Sequence, residues 1–208
     1  MGDNINTVRL NRMVLQQQFN LSSTLVWLNQ THSNTVIELK NPHKPESLEA
    51  DGAWTQEVGQ ACVVMTADCL PLLLTDTGGT VVAAVHCGWR GIANNIIEQS
   101  VLQLRLNTNN DLMAWMGPAI GAEVYEVGGD VYHTFVEQDY TYHQAFFPIV
   151  GTQKYWLDMY QLARLKLSQS GINAVFGGKY CTVRNNDKFY SFRKEGTTGR
   201  MATAIWIN

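Results

Sequence analysis

Short apolar runs set off by turn signals dominate the middle of the chain. Ala61–Thr66, Leu70–Thr75 and Val81–His86 are rich in valine and leucine, and the last follows Thr77-Gly78-Gly79. Their length and β-branched content predict strands buried on both faces. Leu112–Met116 repeats the pattern and is halted by Gly117-Pro118. Ile172–Phe176 and Met201–Ile207 read as later strands, while Thr24–Asn29 and Thr35–Leu39 flank the turn-like Thr31-His32-Ser33-Asn34. Helical spacing takes over in Ile92–Leu106, which places Ile92, Ile96, Ile97, Val101, Leu102 and Leu104 on one face. Tyr155–Gln169 does the same with Leu157, Tyr160, Leu162, Leu165 and Leu167, and Gly171 is its expected stop. Residues 4–18 predict a helix with Val8, Met13, Val14 and Leu15 inward and Asp3 or Asn4 as its cap. Gly129–Gln138 predicts a shorter helix, and the two prolines of segment 41–46 predict a loop.

Strands and helices thus intermix, with no repeat, linker or low-complexity tract. The prediction is one α/β domain over residues 1–208, layered from mixed β-sheets flanked by helices. With 45% hydrophobic and 16% charged residues the chain is composed as an ordinary globule. Its net charge of -3 exerts no pull toward nucleic acid or an anionic membrane. No apolar run approaches the roughly 18–20 residues of a membrane span, and MGDNINTVRLNR lacks the apolar core of a secretion signal. Cys62, Cys69, Cys87 and Cys181 are too scattered to form a disulfide framework. Reduced thiols in a cytoplasmic protein are expected, so a Cys near a His becomes a candidate ligand or nucleophile.

Three segments place such side chains at the ends of apolar strands: Gln30-Thr31-His32, Ala67-Asp68-Cys69 and Val85-His86-Cys87-Gly88-Trp89-Arg90. Two imidazoles and one thiolate suit zinc, and three protein ligands leave a fourth position for water or substrate. The spacing matches no compact zinc finger, and a buried Cys69 beside two hydrogen-bonded histidines is the plainer alternative. Arg90 at a strand-to-helix turn is a candidate for an anion, or else for an ion pair with Asp68 or Glu98. Phe189–Glu195 with Arg200 interleaves aromatic rings and cations; it reads either as a base and phosphate surface or as a sheet edge with alternating inward aromatics. Gly117–Gly121 lacks the lysine of a phosphate loop, and His43, His133 and His143 have no metal-like company. Cys69 and His86 also allow a nucleophile–base pair oriented by Asp68, which would leave His32 without a role.

The ordered segments QTHSNTV, ADGAWT, VVMTADCLPLLLTD, VVAAVHCGWRG, MGPAIGAEVYEVG and FYSFRKEGTTGR resemble the YfiH family, also called the laccase-domain or polyphenol oxidase family. The resemblance runs over nearly the whole chain. It implies zinc on His32, Cys69 and His86 and activity on purine nucleosides: phosphorolysis of adenosine, inosine, guanosine and methylthioadenosine, and adenosine deamination. Purine nucleoside and phosphate are then the partners. Asp68, Cys69 and Arg90 become candidate catalytic residues, with Asp68 as general acid/base. Gln30, Arg90, Ser191, Arg193 and Arg200 become candidate substrate contacts. The family's older label, a copper-dependent phenol oxidase, makes copper the alternative metal. Only five histidines are present, too few for the cluster that reduces dioxygen. A zinc-stapled binding module is the non-enzymatic alternative. Many relatives carry Ala where this chain has Cys87; neighbouring side chains on a strand face opposite ways, so Cys87 is expected to face away from the metal. Relatives also begin further upstream, with an Arg and a Gly-rich stretch near the site. A chain starting at Met1 is expected to lack one edge strand and one substrate contact.

Overall fold

The computed structural model describes residues 4–19, 25–40 and 48–208. Its strands are β1 Val36–Glu38, β2 Gly52–Thr55, β3 Ala61–Thr66, β4 Leu70–Asp76, β5 Val82–Cys87, β6 Leu112–Met116, β7 Glu126–Gly128, β8 Phe146–Pro148, β9 Lys154–Leu157, β10 Ala174–Gly177 and β11 Met201–Trp206. The helices are α1 Ile5–Gln18, α2 Trp89–Ala93, α3 Ile96–Arg105, α4 Gly129–Val136, α5 Met159–Gln169 and α6 Phe192–Glu195. Six strands form one sheet in the order β1-β2-β5-β4-β6-β10, parallel at its two outer pairs and antiparallel between. β3 and β11 make an antiparallel ribbon, and β7-β9-β8 a small third sheet. The expected α/β architecture of mixed sheets flanked by helices is what forms.

Every residue of β5 is buried because both faces of the large sheet are covered. Ala83, Val85 and Cys87 pack with Leu70, Leu72 and Leu74 against Ile92, Ile96, Ile97, Val101 and Leu104. Val82 and Ala84 point the other way and meet Cys62 and Val64 of the ribbon. His86 shares that second face by the two-residue alternation of a strand. The outer side of the ribbon is covered by Leu25, Trp27 and Leu15.

Several predicted elements need correction. Residues 25–28 bury Leu25, Val26 and Leu28 but join no ladder, and Asn29 forms only an isolated bridge with Glu49. Asn4 caps α1 through Asn6 N and Thr7 N, yet Met13 and Val14 are exposed, since only one flank of the helix touches the ribbon. Asp3, Thr24 and the 41–46 loop lie outside the described residues. The helix expected at Ile92–Leu106 begins three residues earlier at Trp89 and breaks at Asn95, whose φ is 65°. Leu102 is exposed on the outer face of α3. Tyr155–Leu157 belongs to β9, because Asp158 caps α5 by accepting from Gln161 N. Gly171 does stop α5, at φ 79°. The Phe189–Glu195 segment is no sheet edge: Ser191 caps the short helix α6. At the β10 edge, Arg164 donates to the carbonyls of Val175 and Gly177 at 3.3 and 3.4 Å. Among the described residues no helix is long and apolar enough to cross a membrane.

Candidate metal centre

β4 and β5 pair with Pro71 opposite His86, so Cys69, in the turn just before β4, arrives beside that imidazole. β2 pairs with β5 on the other side, and His86 N donates to the carbonyl of Asp51 at 2.7 Å. The turn before β1 then brings in His32. The donor atoms of His32, Cys69 and His86 all lie within 4.8 Å of one another, with Cys69 Sγ 3.8 Å from His32 Nε2. Two ligands of a tetrahedral zinc are ~3.5 Å apart for bonds of about 2.0–2.3 Å, so the set fits a small divalent ion. Two nitrogens and one sulfur also match the donor preference of zinc or copper. The cluster grades from exposed His32 to buried His86. Gly88 leaves the room: a Cβ there would meet His32 Cδ2 at 2.7 Å and Cys69 Sγ at 3.3 Å.

Asp51, fully buried, is the residue that sequence reasoning missed. Oδ1 accepts from His86 Nδ1 at 2.7 Å and His32 N at 3.0 Å. Oδ2 accepts from Thr31 N, Ser33 N and Ser33 Oγ at 3.1, 2.7 and 2.7 Å. One carboxylate therefore orients one imidazole and pins the turn carrying the other, with His32 held at φ 61°. A carboxylate behind a ligand histidine fixes its tautomer and leaves Nε2 for a metal. The only sequence signal was the ADGAWT segment, which resembles the family but names no partner.

These contacts reset the titration of the cluster. Burial opposes the Asp51 carboxylate, but hydrogen bonds from His86 and Ser33 outweigh it and hold it at about 2. Burial likewise opposes charge on Cys69 and on His86. Hydrogen bonds to His32 and His86 still lower the thiol to about 6, and those to Asp51 and Cys69 raise the imidazole to about 9. Near pH 7.5 the metal-free site thus holds a thiolate beside an imidazolium. A metal taking Nε2 must displace the His86 proton, so zinc uptake is expected to release about one proton there. The release should grow below pH 6, where Cys69 gains a proton, and vanish above pH 9. Calorimetry in two buffers of different ionisation enthalpy measures it; no release near pH 7.5 would contradict the reading.

The remaining predicted residues divide. Cys87 packs in the helix-side core, away from the cluster, where burial pushes its thiol well up. Arg90 is exposed, lies 4.4 Å over the Trp89 ring and pairs with neither Asp68 nor Glu98. Glu98 instead holds the buried Lys166 at 2.5 Å. The carboxylate behind His86 is Asp51, not Asp68, because Asp68 turns away to Thr182 and Arg193. Gln30 spends both ends of its amide on the Met65 backbone, at 2.8 Å each. Ser191 is fully buried and accepts from Lys194 N. Arg193 reaches the carbonyls of Glu126 at 3.2 Å and Val124 at 3.5 Å, with its guanidinium 5.2 Å over the Tyr125 ring. Arg200 donates to Thr198 and Gly199 and lies over Phe192. His133 is exposed, His143 binds the Tyr140 carbonyl, and His43 lies outside the described residues. Tyr125, not singled out from sequence, is the ring on which the Arg193 guanidinium rests.

Fold and site together define an α/β protein with a candidate mononuclear centre of two histidines and a cysteine. The model of the family described as multi-copper polyphenol oxidoreductase laccase matches residues 1–208. The chain belongs to this family, the YfiH family. It is 44% identical over 208 residues to the Haemophilus influenzae protein named purine nucleoside phosphorylase, covering 100% of this chain and 84% of that one. Identity is also 44% over 207 residues to the Escherichia coli protein named purine nucleoside phosphorylase YfiH, covering 99% and 83%. Among solved structures, Neisseria meningitidis protein NMB0706 superposes with a TM-score of 0.91 at 41% identity, covering 100% of this chain and 84% of that one.

Proposed function

We propose that the chain is a zinc-dependent purine nucleoside phosphorylase, with the ion on His32, Cys69 and His86 and phosphate as second substrate. The observation that carries this reading is the convergence of those three donors with no fourth His, Cys or carboxylate in the cluster among the described residues. The names of its relatives point the same way. The substrates in this reading are adenosine, inosine, guanosine and methylthioadenosine, adenosine deamination is a side activity, and the place of action is the cytoplasm. Phosphorolysis breaks the bond between the sugar and the purine nitrogen, whose electron pair leaves with the base. A phosphate oxygen forms the new bond to the sugar carbon. When bound, the ion supplies a Lewis acid beside the reacting groups.

The chain's own residues supply the rest. Asp51 holds His86 and the His32 turn in place without moving a proton to substrate. Arg193, anchored on two carbonyls and on Tyr125, keeps further N–H donors for a phosphate or a sugar hydroxyl. Arg90 adds positive field at the start of α2, and Arg200, over the Phe192 ring of α6, adds a further cation. The family description favours copper oxidation as a second reading.

Product analysis on metal-quantified protein separates the readings. Adenosine and inosine with phosphate should yield free base and ribose 1-phosphate, and a chelator should abolish both products. Ammonia released from adenosine without phosphate would make deamination the principal activity. Phenol oxidation with copper, and no nucleoside product, would overturn the proposal.

A further inference from the structure

Asp68 immediately precedes the ligand Cys69 and adopts φ 86°, a backbone state that Asp and Asn tolerate better than other side chains. It is buried, and three distant segments meet on it. Its carbonyl accepts from Ile120 N at 2.8 Å. Its carboxylate accepts from Thr182 Oγ1 at 2.5 Å through one oxygen and from Arg193 N at 2.6 Å through the other. Thr182 is fully buried and donates its own N–H to the Ala119 carbonyl at 2.9 Å. The guanidinium of Arg193 is pinned separately, to Val124 and Glu126. One carboxylate is therefore the join between the turn that presents Cys69 and the segment that presents Arg193.

We propose that Asp68 is a positioning residue that sets Arg193 against the metal donors, so that an anionic co-substrate such as phosphate meets both. The kinetic part of this proposal rests on the phosphorylase reading. The two oxygens are spent on the fold, one on a hydroxyl and one on a backbone N–H. Asp68→Asn keeps both contacts with the second one reversed: its oxygen accepts from Arg193 N and its NH2 donates to Thr182 Oγ1. The amide also suits the left-handed backbone, but it cannot take up and hand on a proton as a carboxylate can.

Four variants, D68N, D68A, T182V and R193A, test the proposal in the zinc-loaded protein. D68A should raise KM for inorganic phosphate roughly tenfold or more, as R193A does, with a smaller change in kcat. D68A should also weaken zinc binding in competition with a chelator. T182V, which loses one hydrogen bond but keeps the backbone, should fall between D68A and wild type. D68N should return both quantities to within about threefold of wild type, which a mere contribution to stability would not do. D68N that binds zinc and phosphate normally but loses kcat roughly 100-fold or more would assign a proton transfer to Asp68 and overturn the proposal. D68N and T182V matching wild type while D68A alone fails would reduce the role to backbone strain and overturn it as well. If the wild-type protein cleaves no nucleoside with phosphate, the phosphorylase reading fails. Zinc competition then decides alone: a graded loss from D68N through T182V to D68A supports the join, and equal affinities refute it.

Discussion

Cys69→Ala is expected to remove metal and turnover together, while Cys87→Ala spares both. The β4–β5 pairing brings the two thiols near each other, but Cys87 faces the helix-side core, away from the cluster. Cys69 Sγ sits 3.8 Å from His32 Nε2, whereas Cys87 is packed among Leu70, Ile92 and Ile96. Losing one of the three donors proposed to hold the ion should cost more than the roughly 10–100-fold typical when a partner behind a ligand is removed. Losing the Cys87 sulfur should cost only about 1 kcal/mol of packing. Metal content after dialysis and kcat on inosine with phosphate read the difference. Equal losses in the two variants would contradict the placement of either thiol.

Asp51→Asn is expected to weaken zinc binding roughly 10–100-fold and to destabilise the protein by about 1–3 kcal/mol. An amide has one acceptor oxygen, and Asp51 uses two, against Thr31, His32, Ser33 and His86. With the NH2 on the Oδ2 side, three donors from Thr31 and Ser33 face another donor. With the NH2 on the Oδ1 side it faces His32 N and His86 Nδ1. His86 must then accept at Nδ1 and carry its proton on Nε2, the nitrogen a metal requires. Chelator competition and a thermal melt measure the two effects. Wild-type zinc affinity in this variant would show that the tautomer of His86 is set elsewhere.

The buried strands β3, β4 and β5 were legible because an apolar run covered on both faces needs no partner information to be recognised; β6 was legible as a short apolar run although Trp115 leaves one of its faces open. Asn4 and Gly171 were legible because each is a local signal, the first starting α1 and the second stopping α5. The rest depended on contacts far along the chain. β2 carries only Gly52–Thr55, and its burial comes from pairing with β1 and β5. Tyr155–Leu157 continues the helical spacing of α5, but its register against β7 and β8 wins over propensity. The helix after His86 starts early because Gly88 caps it, and it breaks at Asn95, where the turn meets Lys166 and Glu98. At the site, the three donors were readable as reactive residues at strand ends and through the family resemblance. Asp51 was not, because each of its partners lies 18 to 35 residues away. Asp68 looked catalytic by adjacency alone; its contacts with Thr182 and Arg193 exist only in the folded chain.

The clasp of Arg164 on the outermost strand bears on behaviour at high concentration. A terminal strand with vacant acceptors invites a second molecule to continue the sheet. Here the acceptors of Val175 and Gly177 are already engaged by a cation from the same chain. A newcomer would have to displace that guanidinium before stacking alongside, which discourages open-ended growth from this rim.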